Sequence, residues 1–458
     1  MAETHINKHN HLKEGIDMLN KVSRRNSWQA MMVLAVFGLA VVGLLANVPV
    51  AGAKEKTLKI LGTMPMTGPA AFYGGGFDKG VKLAVEEINK KGVKGFPGGI
   101  EYRVVDTQSK PSLMARKLKR EVPSWKPNII VGAALEPTAR VWCAKLPKYK
   151  IPGIVCSFLS LSKYRPPGEV PVSRWVHYFG FADYFGGQLV GRFFHDKGAK
   201  RVAYIGGDYD WGYSNSMGLK SYWERNGQPF EIVEVIYTPL DKTDYTTEVQ
   251  ILKDAKPDAI FSVYGGAGWF TLAKQLKEAG AMPKIFVYGL GYPNMGSAKL
   301  TGEYGAEGIY GVQTHDPTTD AWKAFIRRWR DKYGEQAYPE PYSNNMYDIV
   351  YWAVKGLEAV GPDKIDDKDY VCDTLMKTSY QGLAASPMGP LGPYGSNWGC
   401  KAVLVQYVKG AGELDPNFGL HPEVRAVLAT PKMDIKQILD DIGGLTRLER
   451  GEKYPMGQ

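Results

Sequence analysis

The chain has 458 residues, 44% hydrophobic and 23% charged, a composition that suits a globular protein of two or three domains and excludes disordered and fibrous classes. The formal net charge is +10, of which residues 1–53 carry +2 (five basic against three acidic), leaving +8. The basic residues are scattered apart from Arg116, Lys117, Lys119 and Arg120, and Arg327, Arg328 and Arg330. Such runs are solvated helix faces, and with no recognised motif beside them nucleic acid is excluded as a partner.

Residues 1–53 stand apart. Lys21, Arg24 and Arg25 precede an apolar run from Trp28 to Val48, then Pro49 and Ala51-Gly52-Ala53. A charged stretch, an apolar stretch and an A-x-A site in that order form an export signal, and cleavage after Ala53 would leave a chain starting at Lys54. The apolar run of about 20 residues also reaches bilayer length, so an uncleaved anchor is the other reading. Ser23-Arg24-Arg25 begins like a twin-arginine signal, but Asn26, Ser27 and Trp28 do not continue it, which favours the general secretory route. No Cys lies near the cleavage site, so a free periplasmic protein is expected rather than a lipoprotein.

Leu58 to Leu61 form a short apolar strand. The stretch TGPAAFYGGG follows, with Gly68, Gly74, Gly75 and Gly76 read as a glycine loop that lets backbone amides crowd a ligand. A helix comes next, because Val81, Ala84, Val85 and Ile88 recur at helical spacing and Gly92 closes it. Its N-terminal amides would face whatever Tyr73 touches. The unit then repeats: strand 102–106, helix 113–125, strand 128–134, helix 136–149, strand 152–157. Beyond Pro166-Pro167 a second series runs as strand 201–208, helix 214–227, strand 231–238, helix 244–255, strand 258–266, helix 269–280 and strand 284–291. This alternation predicts an α/β protein whose doubly wound parallel sheets fall into two lobes, with ligands outside the carboxyl ends of the strands.

Cys143, Cys156, Cys372 and Cys400 are an even count in an exported chain. Sequence neighbourhood favours disulfides Cys143–Cys156 and Cys372–Cys400, and buried thiols are the other reading. No C-x-x-C pair supports a metal site. Phosphate-loop, dinucleotide and nucleophile-elbow motifs are absent and the histidines are dispersed, so neither an enzyme nor a cofactor is expected.

In the order of its elements, residues 57–410 resemble the type I periplasmic solute-binding proteins of ABC transporters, in particular the leucine/isoleucine/valine-binding family and its relatives that bind amides and urea. The resemblance implies a two-lobed periplasmic-binding-protein type I fold, with lobe 1 at 54–180 plus 312–385 and lobe 2 at 181–311 plus 386–412. Residues 413–458 extend past the family's usual end and stay unplaced. It also implies a small-molecule solute, membrane permease subunits as partners and a monomer. A membrane-linked sensory receptor of the same fold is the alternative.

Carried over by position, Tyr73 matches the family's first-loop aromatic. Glu136 stands where the family has a Ser that binds a ligand carboxylate. Ser160, with Ser157 close by, falls near the next hydroxyl. Asp183 sits at the first crossing between lobes, and Trp211 matches the second-lobe aromatic. No carboxylate stands near Gly291 for an amino-acid ammonium, and Tyr264 and Trp269 flank the family's lost tyrosine. A buried ammonium without a carboxylate partner is costly. With Phe72, Phe158 and Tyr292, these aromatics therefore suggest a flat, apolar or cationic solute more than a branched-chain amino acid.

Overall fold

The computed structural model describes Asp17 and residues 55–68, 70–133, 136–156, 173–180, 183–239, 241–264, 268–289, 308–335, 337–340, 342–391, 401–409 and 420–429. The chain divides into a unit Met1–Glu55 and a unit Lys56–Gln458. The expected export signal lies outside the described residues except for Asp17, which is exposed. Among the described residues no helix is long and apolar enough to cross a membrane.

The first half of Lys56–Gln458 alternates strand and helix: β1 (Leu58–Met64), α1 (Ala71–Lys91), β2 (Ile100–Asp106), α2 (Pro111–Trp125), β3 (Ile129–Gly132), α3 (Glu136–Tyr149), β4 (Gly153–Val155) and β5 (Val176–Tyr178). The strands pair in parallel in the order β2-β1-β3-β4-β5. Side chains alternate across this sheet with period two. Leu61, Ile130 and Val155 pack with α2 and α3 on one face, while Ile60, Ile129 and Ile154 pack with α1 on the other.

Next come α4 (Asp183–Asp196), β6 (Arg201–Gly207), α5 (Asp210–Arg225), β7 (Glu231–Thr238), α6 (Thr246–Ala255), β8 (Ala259–Val263), α7 (Gly268–Glu278), β9 (Ile285–Tyr288) and β10 (Tyr310–Gln313). The second sheet runs β12-β11-β10-β9-β8-β6-β7, where β11 is Lys401–Lys409 and β12 is Leu420–Ala429. β6 to β10 are parallel, whereas β11 and β12 add on antiparallel. Residues 420–429, unplaced from sequence, thus form an edge strand. One face of the sheet packs Val202, Tyr204 and Phe261 against α4 and α5, and the other packs Ile205, Ile260 and Phe286 against α6 and α7.

The remaining helices are α8 (Asp320–Tyr333), α9 (Ser343–Val360) and α10 (Lys368–Lys377). Thr319 caps α8 by accepting from the Trp322 N–H at 3.2 Å, and Asp367 caps α10 by accepting from the Tyr370 N–H at 3.1 Å. Phe325 and Trp329 of α8, and Ile349, Trp352 and Ala353 of α9, are buried with α1 over the first sheet.

Two expectations need correction. The glycine stretch is no loop: α1 starts at Ala71 and includes Tyr73 to Gly76. A Cβ on Gly74 would lie 2.2 Å from the Pro65 carbonyl oxygen, so this glycine lets the helix sit against the end of β1 rather than exposing amides to a ligand. The Cys143–Cys156 disulfide also fails. Cys143, Cys156 and Cys372 are free and buried. Cys143 packs with α3 on one face of the first sheet, while Cys156 continues the Ile154 side of the other, so the sheet separates them. Cys372 donates to the Arg174 carbonyl at 2.9 Å, and Cys400 lies outside the described residues.

Candidate functional site

Chemistry gathers at the carboxyl ends of the parallel strands, where β1, β3, β6 and β8 pass into helices whose first amides lack intrahelical partners. From the first sheet these ends bring Ala133 and Cys156, and from the second Asp208 and Tyr209.

Tyr342, which precedes α9, holds the centre of this region. Its φ of 63° is left-handed, a conformation a bulky aromatic seldom adopts. The ring lies 5.8 Å from Tyr73 and 6.0 Å from Phe77, and it packs against the buried clusters on both faces of the first sheet, one of which continues into the second. Burial and the neighbouring Tyr73, Cys156, Asp183 and Tyr209 push its phenol well above the usual tyrosine range. Burial together with Tyr237, Tyr209 and Asp183 does the same to Tyr204. Both hydroxyls therefore stay protonated and uncharged at neutral pH, and that of Tyr204 donates to the Gly212 carbonyl.

A second connection joins the two sheets' helices. Arg140 of α3 donates from Nη2 to Asp210 Oδ2 of α5 at 2.5 Å, with the two side chains 19% and 3% exposed. Trp211 follows at half burial, its ring 6.2 Å from Tyr209.

Behind the strand ends, the backbone crosses between sheets through 314–316 and 383–386. His315 pairs with Ala384, and the Ala385 N–H donates to the Thr314 carbonyl at 2.7 Å. Thr314 Oγ1 donates to Asn345 Oδ1 at 3.2 Å, and Asn345 Nδ2 donates to the Cys156 carbonyl at 3.4 Å. The Asp348 carboxyl of α9 accepts from the Leu383 and Ala384 N–H groups at 2.8 to 3.0 Å. Burial lifts its pKa to about 7 against the opposing pull of those amides.

Of the sequence candidates, Tyr73, Asp183 and Trp211 lie at these strand ends. Tyr73 is buried, stacked 6.2 Å from Phe77, and Asp183 opens α4. Tyr264 is buried behind β8: its hydroxyl accepts from Thr238 and donates to the Pro239 carbonyl, and its ring meets Tyr245 edge-on at 5.5 Å. Glu136 opens α3 and Trp269 lies in α7, but their side chains are outside the described residues, as are Ser157, Ser160 and Tyr292. Sequence reasoning missed Tyr342, Arg140, Tyr209 and Asp210.

No group of metal-binding side chains occurs among the described residues. Cys372 Sγ comes within 3.8 Å of His177 Nε2, but burial drives the thiol up to about 12 and the imidazole down to about 3. Both are uncharged at neutral pH and shut away from solvent, unlike an activated thiolate pair.

Comparison with known proteins agrees with this layout. A family described as "Periplasmic binding protein" matches residues 57–410. The Leu/Ile/Val-binding protein homolog 6 of Brucella abortus is 26% identical over 233 residues, 51% of this chain and 55% of that protein, so the chain spans about half the length of the curated relatives it matches. Among solved structures, the branched-chain amino acid transporter substrate-binding protein LivJ of Streptococcus pneumoniae, in complex with isoleucine, superposes with a TM-score of 0.65 at 22% identity, covering 82% of this chain and 99% of that one. A solute-binding protein of an ABC transporter from R. palustris, in complex with benzoate, gives 0.69 at 18% identity, covering 83% and 98%. Such structures carry the two-lobed fold, and the proteins of this family are extracytoplasmic solute-binding proteins rather than enzymes. With more than three quarters of its length matched, from 57 to 410, the chain belongs to the periplasmic binding protein family.

Proposed function

We propose that this protein is the receptor of an ABC importer, capturing one small organic solute between two lobes and delivering it to a membrane permease. The observation that carries the reading is the convergence of Tyr73, Tyr342, Asp183, Tyr209 and Trp211 at the carboxyl ends of parallel strands from both sheets. Lobe 1 takes residues 54–180 plus 312–385 and lobe 2 takes 181–311 plus 386–412, extended by β12. Protonated phenols and aromatic faces suit a flat solute bearing a polar group, so an aromatic acid, an aromatic amine, an amide or an amino acid is the class to test. Glu136, Ser157, Ser160, Trp269 and Tyr292 complete the proposed lining, with Tyr264 behind it. The N-terminal signal sends the protein to the periplasm, where it works as a monomer without a cofactor or chemistry of its own.

A thermal-shift screen tests this with the chain from Lys54 onward against amino acids, amides, urea, aromatic acids, polyamines and quaternary amines. A solute that binds the folded form alone raises the melting temperature as ln(1 + [L]/Kd). A shift with one chemical class supports the receptor reading and identifies the solute class. Silence across all classes overturns it.

A further inference from the structure

We infer that Arg140 and Asp210 form a latch across the cleft, a charge pair through which the chain itself holds its two walls together and sets how tightly a solute is retained. The inference rests on the receptor reading above. Arg140 projects from α3, which covers the first sheet, and Asp210 opens α5, which covers the second, so their 2.5 Å contact closes only when the two walls meet. Asp210 sits in the first turn of α5, where the helix dipole favours negative charge and fixes the carboxylate in place. The guanidinium arrives on a long flexible stem and is the partner that engages or lets go. Both side chains are largely out of water, where an ion pair is screened far less than at an exposed surface, so breaking it at either end should weaken the hold between the walls.

Such a latch raises the fraction of receptor already in the binding-competent form. Apparent affinity scales with that fraction, whatever the solute. Weakening the pair should therefore weaken every solute by one common factor, whereas a residue that touches solute changes the ratio between solutes.

The test uses protein expressed from the full-length chain, as wild type, Arg140→Met, Asp210→Asn and the double variant. Asp210→Asn keeps the side-chain shape and guards against a folding failure of Arg140→Met. Small-angle X-ray scattering without added solute should give a larger radius of gyration for both single variants than for wild type. Affinities for isoleucine, benzoate and the neutral benzamide, for whichever of them bind, should fall about tenfold and equally, within the usual range of coupling between two states. The double variant should bind no worse than either single one. Unchanged scattering in the variants overturns the latch. Loss of benzoate with retention of benzamide also overturns it, because Arg140 would then meet the solute's carboxylate. If wild type binds none of the three, the receptor reading loses support, yet the scattering still decides the latch.

Discussion

The α4–α5 contact offers a sharp test of the packing. A Cβ on Gly218 of α5 would lie 1.8 Å from the Tyr184 carbonyl oxygen of α4 and 2.8 Å from its carbon, and a Cβ on Gly187 would lie 1.9 Å from the Asn215 carbonyl oxygen. The obstacle in each case is helix backbone, which has no rotamer to change. Gly218→Ala must therefore push the helices apart by about 1.5 Å to regain ordinary contact distances. That movement loosens Leu189, Val190, Phe193, Phe194 and Leu219, all buried against the second sheet. Overpacking a close contact costs about 3 kcal/mol when backbone must move, which, with an unfolding entropy of about 2.1 cal/mol/K per residue over roughly 400 residues, lowers the melting temperature by about 3–4 °C. Gly75→Ala in α1 makes the same chemical change where a Cβ meets nothing within 4 Å. There helix propensity should win and stabilise by about 0.5–1 kcal/mol. Calorimetric melting of the two variants beside wild type decides the matter. Equal shifts, or a Gly218→Ala variant that melts with wild type, would refute the claim that backbone contact controls the sign.

Acid lability should follow from two buried imidazoles, opposed by one buried carboxyl. Burial depresses His177 and His315 from 6.5 to about 3, so the stability they contribute is complete above pH 6.5 and is lost as pH falls toward 3. Asp348 is raised from 3.8 to about 7, so its contribution is complete below 3.8 and is lost as pH rises through 7. Between these limits the two imidazoles outweigh the one carboxyl, and unfolding takes up about one net proton. Unfolding free energy from urea titrations should then rise by about 1.4 kcal/mol per pH unit between pH 4 and 6.5, and His315→Gln should flatten that slope to near zero; an unchanged slope in the variant would contradict the assignment. The thiols make a separate prediction: iodoacetamide should leave Cys143, Cys156 and Cys372 unmodified in native protein and alkylate all three in urea without prior reductant. A requirement for reductant would restore the disulfides.

The architecture was legible because strand and helix periods alternate plainly from Leu58 to Tyr288, and tertiary packing reinforced those local patterns. It was misread where a residue's reason is tertiary. Gly74 to Gly76 carry a loop's composition, but the close approach of α1 to Pro65 is what requires Gly74. The alternation Ile154, Val155, Cys156 already placed Cys156 on the face opposite α3, and it outweighs the short sequence distance to Cys143. Tyr342 could not be found this way, since nothing in PYSNN announces a left-handed tyrosine. Arg140 and Asp210 lie 70 residues apart, and their encounter depends on how the sheets face each other.

The stitching of the two crossings has a mechanical consequence. Because His315 pairs with Ala384 and Asp348 holds the Leu383 and Ala384 amides to α9, segments 314–316 and 383–386 are tied together instead of running as independent tethers. Two separate tethers would permit sliding and twisting between the halves. A bonded pair restrains those degrees of freedom, so any relative movement of the two sheets would favour rotation about the tied segments over sliding.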